Sequence, residues 1–269
     1  MSAVQQARLS KQQVDFFWRE GYVLPNEPLL PENKFQGLQR HFEDKLARLP
    51  ADVRPEGMDV PHFTDPKLFE WLFADEVLDM VEPLLGPDIA LFSSHFICKP
   101  KGNGKKVPWH EDSAYWGKMI SPMQVVTVWL AIDPSTRENG CMKVIPRTHE
   151  NGYSDYGPVD TTTHVFGSEI KPHQVDLTKA VYFELQPGFC SLHESKLMHG
   201  SDANSSNIRR CGYTMRYISA KTVLNPESRK HHQLYLARGK GSPENVFADP
   251  AQSYEHLARY RETVVKHGH

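Results

Sequence analysis

The chain has no apolar run approaching the roughly 18 residues that a membrane-spanning helix needs. Its opening stretch, MSAVQQARLSKQQVDFF, has no apolar segment behind a basic start. Neither a membrane span nor a secretory leader is therefore expected. Cysteine is scarce: Cys98, Cys141, Cys190 and Cys211 stand far apart and form no CxxC pair. That spacing excludes a zinc ribbon and a disulfide scaffold, and it fits free buried thiols in a reducing, cytoplasmic compartment. An excess of either charge is also missing, with 31 Lys and Arg against 33 Asp and Glu. Nucleic acid and anionic membrane are not expected as partners. No Pro/Ser/Gly-rich linker and no internal repeat divide the chain, so residues 1–269 read as one domain. Nothing in the pattern sets an oligomeric state.

The chain is rich in histidine, with 14 in 269 residues. His267 and His269 sit at the C-terminus, and His231 and His232 lie in the charged stretch ESRKHHQ, which reads as solvated. The apolar spacing predicts a helix over residues 10–21, with Ser10 as N-cap and Gly21 as C-cap, and a short strand after it. Further helices are expected at 32–49, 66–73 and 75–85. From residue 89 the pattern changes to short β-type runs at 89–98, 125–132, 142–145, 180–185, 190–192 and 212–218. Turns rich in Gly, Pro, Asn and Asp separate them. Helices first (1–88), strands next (89–220) and a polar, partly helical segment last (221–269) point to a mainly β barrel or sandwich with N-terminal helices.

Candidate chemistry concentrates in two segments. VPWHEDSAYW sets His110 and Asp112 two residues apart, and on a strand such residues share a face. An imidazole and a carboxylate on one face, joined by a second imidazole, hold Fe(II) while leaving positions open. The bare motif is weak evidence. Chance gives about two such pairs at this composition, and His41-Phe42-Glu43 is another, on a predicted helix. The second segment, LMHGSDANSSNIRRCGYTMRYIS, supplies His199 as a third ligand, with His193 as its rival. Arg210 follows at the start of a predicted strand, where its planar fork suits a carboxylate. Arg209 and Arg216 are rivals for that role.

At these residues the chain resembles the phytanoyl-CoA dioxygenase family of Fe(II)- and 2-oxoglutarate-dependent oxygenases. LSKQQVDFFWREGYVL, DEVLDMVEPLLGPDIAL, FICKPKGNGKKVPWHED, VVTVWLAIDPSTRENGCMKVIPRTH and PGFCSLHESKLMHGSDANSSNIRR are similar to family segments and occur in the family's order. The resemblance implies a double-stranded β-helix, a cupin-like jelly-roll. It implies His110, Asp112 and His199 as ligands of Fe(II), and Arg210 as anchor of the 2-oxoglutarate 5-carboxylate. Trp129, Ser201 and Trp116 match positions that lie against the co-substrate. Two residues depart from the pattern: Glu111 stands where Gln is frequent, and Arg147 where Gly is common. Both are expected to affect the rim or the surface.

The implied reaction consumes O2 and 2-oxoglutarate and oxidises a C–H bond of a small-molecule substrate. An intact Asp112 carboxylate argues for hydroxylation, desaturation or ring closure rather than halogenation. His95, Phe96, Lys99, Lys101, Lys105, Lys106, Tyr115, Trp116 and Lys118 lie near the expected mouth, where they favour an anionic or aromatic ligand or form an ordinary solvated turn. Two other readings stay open: a cupin-type metalloenzyme that does not use 2-oxoglutarate, and a non-enzymatic binding protein of the same fold.

Overall fold

In the computed structural model, which describes residues 9–258, the first helix forms where its caps place it. Helix α1 (Lys11–Glu20) begins at Ser10, whose hydroxyl accepts from the Gln13 amide while the Gln13 side chain accepts from the Ser10 N–H. Gly21 closes it with φ 85°, and β1 (Tyr22–Val23) follows. Helix α2 (Glu32–Ala47) buries Phe35, Leu38 and Phe42, the stripe that the spacing predicts. Strand β2 (Met58–Asp59) leads to a shorter helix than expected, α3 (Phe69–Leu72), because Pro66–Leu68 takes a 3-10 turn first. Helix α4 (Asp75–Leu85) completes the helical layer.

The remaining elements are β3 (Ile89–Lys99), β4 (Val107–His110), α5 (Asp112–Trp116), β5 (Ile120–Ser121), β6 (Val126–Ala131), β7 (Met142–Val144), β8 (Tyr156–Pro158), β9 (Ser168–Ile170), β10 (Val181–Tyr182), β11 (Cys190–Glu194), β12 (His199–Ser201), β13 (Arg210–Ser219), β14 (Val223–Leu224) and β15 (Tyr235–Arg238). They build two main antiparallel sheets. The larger runs β1-β11-β6-β13-β3-β15, with β2 also on β3, and the smaller runs β10-β7-β12-β4. A cavity opens between them, lined by β6, β11 and β13 on one side and by β4, β7 and β12 on the other. This is the jelly-roll arrangement that the resemblance implies.

Strand β13 is central to the larger sheet, paired with β3 on one edge and β6 on the other. Its alternation sorts two environments. Cys211, Tyr213, Met215 and Tyr217 join the main core with the helices, where Tyr213 stacks on Phe96 at 4.0 Å and the Tyr217 hydroxyl donates to Leu72 O. Arg210, Thr214 and Arg216 face the cavity.

The C-terminal segment is partly helical, with a 3-10 turn at Pro226–Lys230, but it also holds a strand and buried side chains that its polar composition does not suggest. Tyr235–Arg238 is a strand paired with β3, and Leu234, Tyr235 and Leu257 are fully buried. His232 is buried rather than solvated, its Nε2 2.8 Å from Phe92 O. The pairing partner lies far off in sequence, so local composition carries no sign of it. His267 and His269 fall outside the described residues. Among the described residues no helix is long and apolar enough to cross a membrane.

Arg147 explains its own departure from the family pattern. Its φ of 69° is a left-handed conformation that favours glycine. The side chain makes a bidentate contact with Glu20, at 2.9 and 2.8 Å, tying the loop after β7 to α1. Those hydrogen bonds, with help from Arg19, hold the Glu20 carboxyl down at about 2. A lowered carboxyl contributes stability above its unfolded value, and this is lost as pH falls toward the folded one. The unfolding free energies of the wild type and of Glu20→Gln should therefore differ by a constant amount from pH 7 to about 5 and converge toward pH 2. A gap that persists at pH 2 would show that the clamp does not depend on the carboxylate.

Candidate metal centre

Strand pairing brings the two histidines together. His110 ends β4, His199 begins β12, and the two are direct partners in the antiparallel register. Their ring centroids lie 4.1 Å apart. Each Nδ1 is 2.8 Å from the carbonyl two residues earlier, Pro108 O for His110 and Leu197 O for His199. A carbonyl only accepts, so each Nδ1 donates its proton and each Nε2 keeps a lone pair.

Asp112 reaches the same point by a different route from the one expected. The strand stops at His110, Glu111 is still extended (φ −110°, ψ 127°), and Asp112 is the first residue of α5. The extended residue keeps the two side chains on one side although the carboxylate projects from a helix start. Asp112 Oδ1 lies 3.7 Å from His110 Nε2 and 4.0 Å from His199 Nε2. One donor atom from each of the three residues falls within 4.8 Å of the others, and all three residues are buried. Burial alone would raise the Asp112 carboxyl. The Arg216 cation, with His110 and His193, outweighs that and holds it well below the usual range. Burial, with His110 and His193 nearby, pushes His199 well below its ordinary value. One anionic carboxylate and two imidazole lone pairs suit a divalent metal with open coordination positions.

The turn that carries these ligands is pinned from outside. Glu111 is fully buried rather than on the rim, and it accepts from the Ser154 amide and hydroxyl and from the Tyr156 hydroxyl. Phe166 packs edge-on against His110 at 5.1 Å, and Tyr115 packs against both. Phe166 arrives from the loop between β8 and β9, where no periodicity marks it in the sequence.

Arg210 sits at the other end of the cavity. It is 2% exposed and donates to Gly140 O (3.1 Å), Ser201 Oγ (3.1 Å) and Ile97 O (3.5 Å), all neutral acceptors. No carboxylate lies within ion-pair distance of it among the described residues. Burial pushes its guanidinium down to about 10, so it remains charged at neutral pH. The guanidinium lies over the Trp129 ring at 5.4 Å. Arg210, Ser201 and Trp129 thus line one cavity. Gly140 at φ 78° permits the turn whose carbonyl receives Arg210, since a Cβ there would strike Asp202 O at 2.4 Å.

Other candidates fall elsewhere. Trp116 does not line this cavity; it packs on Phe92 and under Arg216. Arg209 faces outward and pairs with Asp133 and Glu43. His193, the rival ligand, is 1% exposed, and neither ring nitrogen has a hydrogen-bond partner among the described residues. Its Nε2 lies 3.8 Å from the other Asp112 oxygen, Oδ2. At 3.8 Å this is too long for a hydrogen bond. Arg216 approaches that same oxygen, with Nε at 3.3 Å.

The family model for phytanoyl-CoA dioxygenase (PhyH) matches residues 1–212, well over half of the chain. The peroxisomal phytanoyl-CoA dioxygenase of Homo sapiens is 26% identical over 231 residues, covering 76% of this chain and 67% of its own. Among solved structures, the apo form of ThoJ, a non-heme monooxygenase, matches with a TM-score of 0.70 at 22% identity over 95% of each chain. EctD from S. alaskensis with bound Fe matches with a TM-score of 0.64 at 21% identity, over 83% of this chain and 82% of its own. At such identities the two structures speak to the fold, the double-stranded β-helix.

The floor of the cavity depends on a missing side chain. A Cβ at Gly212 would lie 2.0 Å from Trp129 Cζ2, so Trp129 keeps its place only while residue 212 is glycine. Gly212→Ala should destabilise the fold by about 1–3 kcal/mol through overpacking, read from the midpoint of chemical denaturation. An unchanged midpoint would mean that Trp129 has room to move aside.

Proposed function

The chain belongs to the phytanoyl-CoA dioxygenase family, and we propose that it is an Fe(II)- and 2-oxoglutarate-dependent dioxygenase that hydroxylates a C–H bond of a small-molecule substrate. The observation that carries the co-substrate is Arg210. A guanidinium buried among neutral acceptors, with no carboxylate at ion-pair distance among the described residues, is costly unless an anion arrives. It lies in the same cavity as His110, Asp112 and His199. A dicarboxylate with one end at a metal and the other at Arg210 meets both requirements. A cupin-type metalloenzyme that does not use 2-oxoglutarate would have no need of this cation.

In this reading His110, Asp112 and His199 hold Fe(II), and Arg210 with Ser201 takes the far carboxylate of 2-oxoglutarate. Bound iron supplies the activation of O2, coupled to loss of CO2 from the co-substrate. In the balance, one oxygen atom of O2 enters the substrate as a hydroxyl and the other enters succinate. The chain's own residues set the stage. The Pro108 and Leu197 carbonyls fix the proton on Nδ1 of each imidazole. Arg216 keeps Asp112 anionic, and the Glu111 contacts hold the turn at 110–112 in register. Phe166 and Tyr115 shield one flank of His110 from water. Residues 1–269 act as one unit in this scheme, an arrangement supported by the pairing of β15 with β3.

Purified protein supplied with Fe(II), 2-oxoglutarate and O2 should release succinate slowly even without substrate. Asp112→Ala should abolish this, and Asp112→Glu should reduce it severely, because one methylene shifts the carboxylate by about 1 Å in a site with little tolerance. Arg210→Ala should raise the half-saturating 2-oxoglutarate concentration by roughly 10- to 100-fold, the worth of a charge-assisted contact, while iron still binds. Undiminished turnover in Arg210→Ala would favour the cupin-type reading, and full activity in Asp112→Ala would remove the metal assignment.

A further inference from the structure

Strand β13 carries a second arginine on its cavity face. Arg216 follows Arg210 by six residues, and an even spacing keeps both on the same side. At about 3.3 Å per residue their Cα atoms stand roughly 20 Å apart, so the cavity has a guanidinium toward each end. Among the described residues that line it, these two are the only Lys or Arg side chains. Three of the lysines expected near the mouth are engaged elsewhere: Lys99 donates to the Ser201 and Asp202 carbonyls, Lys105 to Thr161 O, and Lys106 pairs with Glu169.

Arg210 has a task in the proposed reaction, and Arg216 has capacity to spare. Its Nε contacts Asp112 Oδ2, its guanidinium lies 5.4 Å over Trp116, and neither Nη makes a hydrogen bond to any described residue. Beside it is His193, buried, with both ring nitrogens free of hydrogen bonds. The Asp112 carboxylate therefore divides two settings. Oδ1 faces the imidazole pair, whereas Oδ2 faces a guanidinium fork and an unsatisfied imidazole.

Charge points the same way. A divalent metal, a 2-oxoglutarate dianion, Asp112 and two arginines leave the enclosed site with one net positive charge. A buried excess charge is unfavourable until a counter-ion arrives. A single negative charge on the substrate neutralises it, and the fork of Arg216 matches the geometry of a carboxylate.

We propose that the substrate is a small monocarboxylic acid whose carboxylate docks on the Arg216 Nη atoms beside His193. The inference rests on the oxygenase reading and deepens it. Because Arg216 lies against the carboxylate of Asp112, the carbon that is oxidised is one close to the acid group.

The test is calorimetric and requires no turnover. Wild-type protein, loaded anaerobically with Fe(II) and 2-oxoglutarate so that Arg210 is occupied, is titrated with straight-chain carboxylates of increasing length and with the matching primary amides. At least one carboxylate should bind roughly tenfold or more tightly than its amide. Arg216→Lys should weaken binding yet keep the preference for the acid, and Arg216→Gln should erase or reverse it. The ratio of acid to amide is insensitive to a general loss of site order. Binding of no carboxylate, equal binding of acid and amide, or an unchanged preference in Arg216→Gln would overturn the assignment. Failure of the oxygenase reading itself would show earlier, as no iron-dependent heat on addition of 2-oxoglutarate.

Discussion

One buried carboxylate organises this molecule. Asp112 is 5% exposed, yet it is held ionised with its two oxygens facing different groups. An isolated charge at that depth would be unfavourable by several kcal/mol, so the surrounding structure exists in part to satisfy it. Among the described residues the full cation against it is Arg216, at 3.3 Å. The imidazoles of His110 and His199 supply lone pairs rather than charge, because backbone carbonyls fix their protons on the far side. A metal entering between Asp112 and those lone pairs completes an arrangement that the polypeptide leaves electrostatically open.

The fold delivers these groups through two devices. Pairing of β4 with β12 sets His110 opposite His199, and a single extended residue, Glu111, carries the chain from strand to helix so that Asp112 turns back toward them. Strand β13 does the rest by alternation. Its odd-numbered residues anchor the sheet to the helical layer through Tyr213 and Tyr217, while its even-numbered residues furnish the cavity with Arg210, Thr214 and Arg216. Gly212 interrupts the second series because Trp129 occupies the space a side chain would take. One strand thereby couples the packing of the core to the position of both guanidinium groups.

Much of this was legible in the sequence. Caps and apolar spacing located α1, α2 and α4, and ordered motifs identified the family and the three residues that cluster. The features that escaped are those set by distant partners. Strand β15 is short and surrounded by polar residues, and only its pairing with β3 defines it. Glu111 reads as a rim residue until Ser154 and Tyr156 fold over it. Phe166 belongs to an aperiodic loop. Trp116 neighbours the ligands in sequence, but helix α5 turns it toward Phe92 and away from the cavity. Arg216 was discernible in principle, since its even spacing from Arg210 marks the same face; what the sequence lacked was the depth of that face and the Asp112 oxygen waiting there.

Anaerobic titration of Fe(II) into the purified protein with 2-oxoglutarate tests the assignment most directly, with the weak visible charge-transfer band of the iron–2-oxoglutarate chelate as signal. The band should grow to saturation at equimolar iron and be absent in His199→Ala. Iron binding without a band would separate the metal site from 2-oxoglutarate, and no iron binding at all would contradict the reading of His110, Asp112 and His199 as a metal centre.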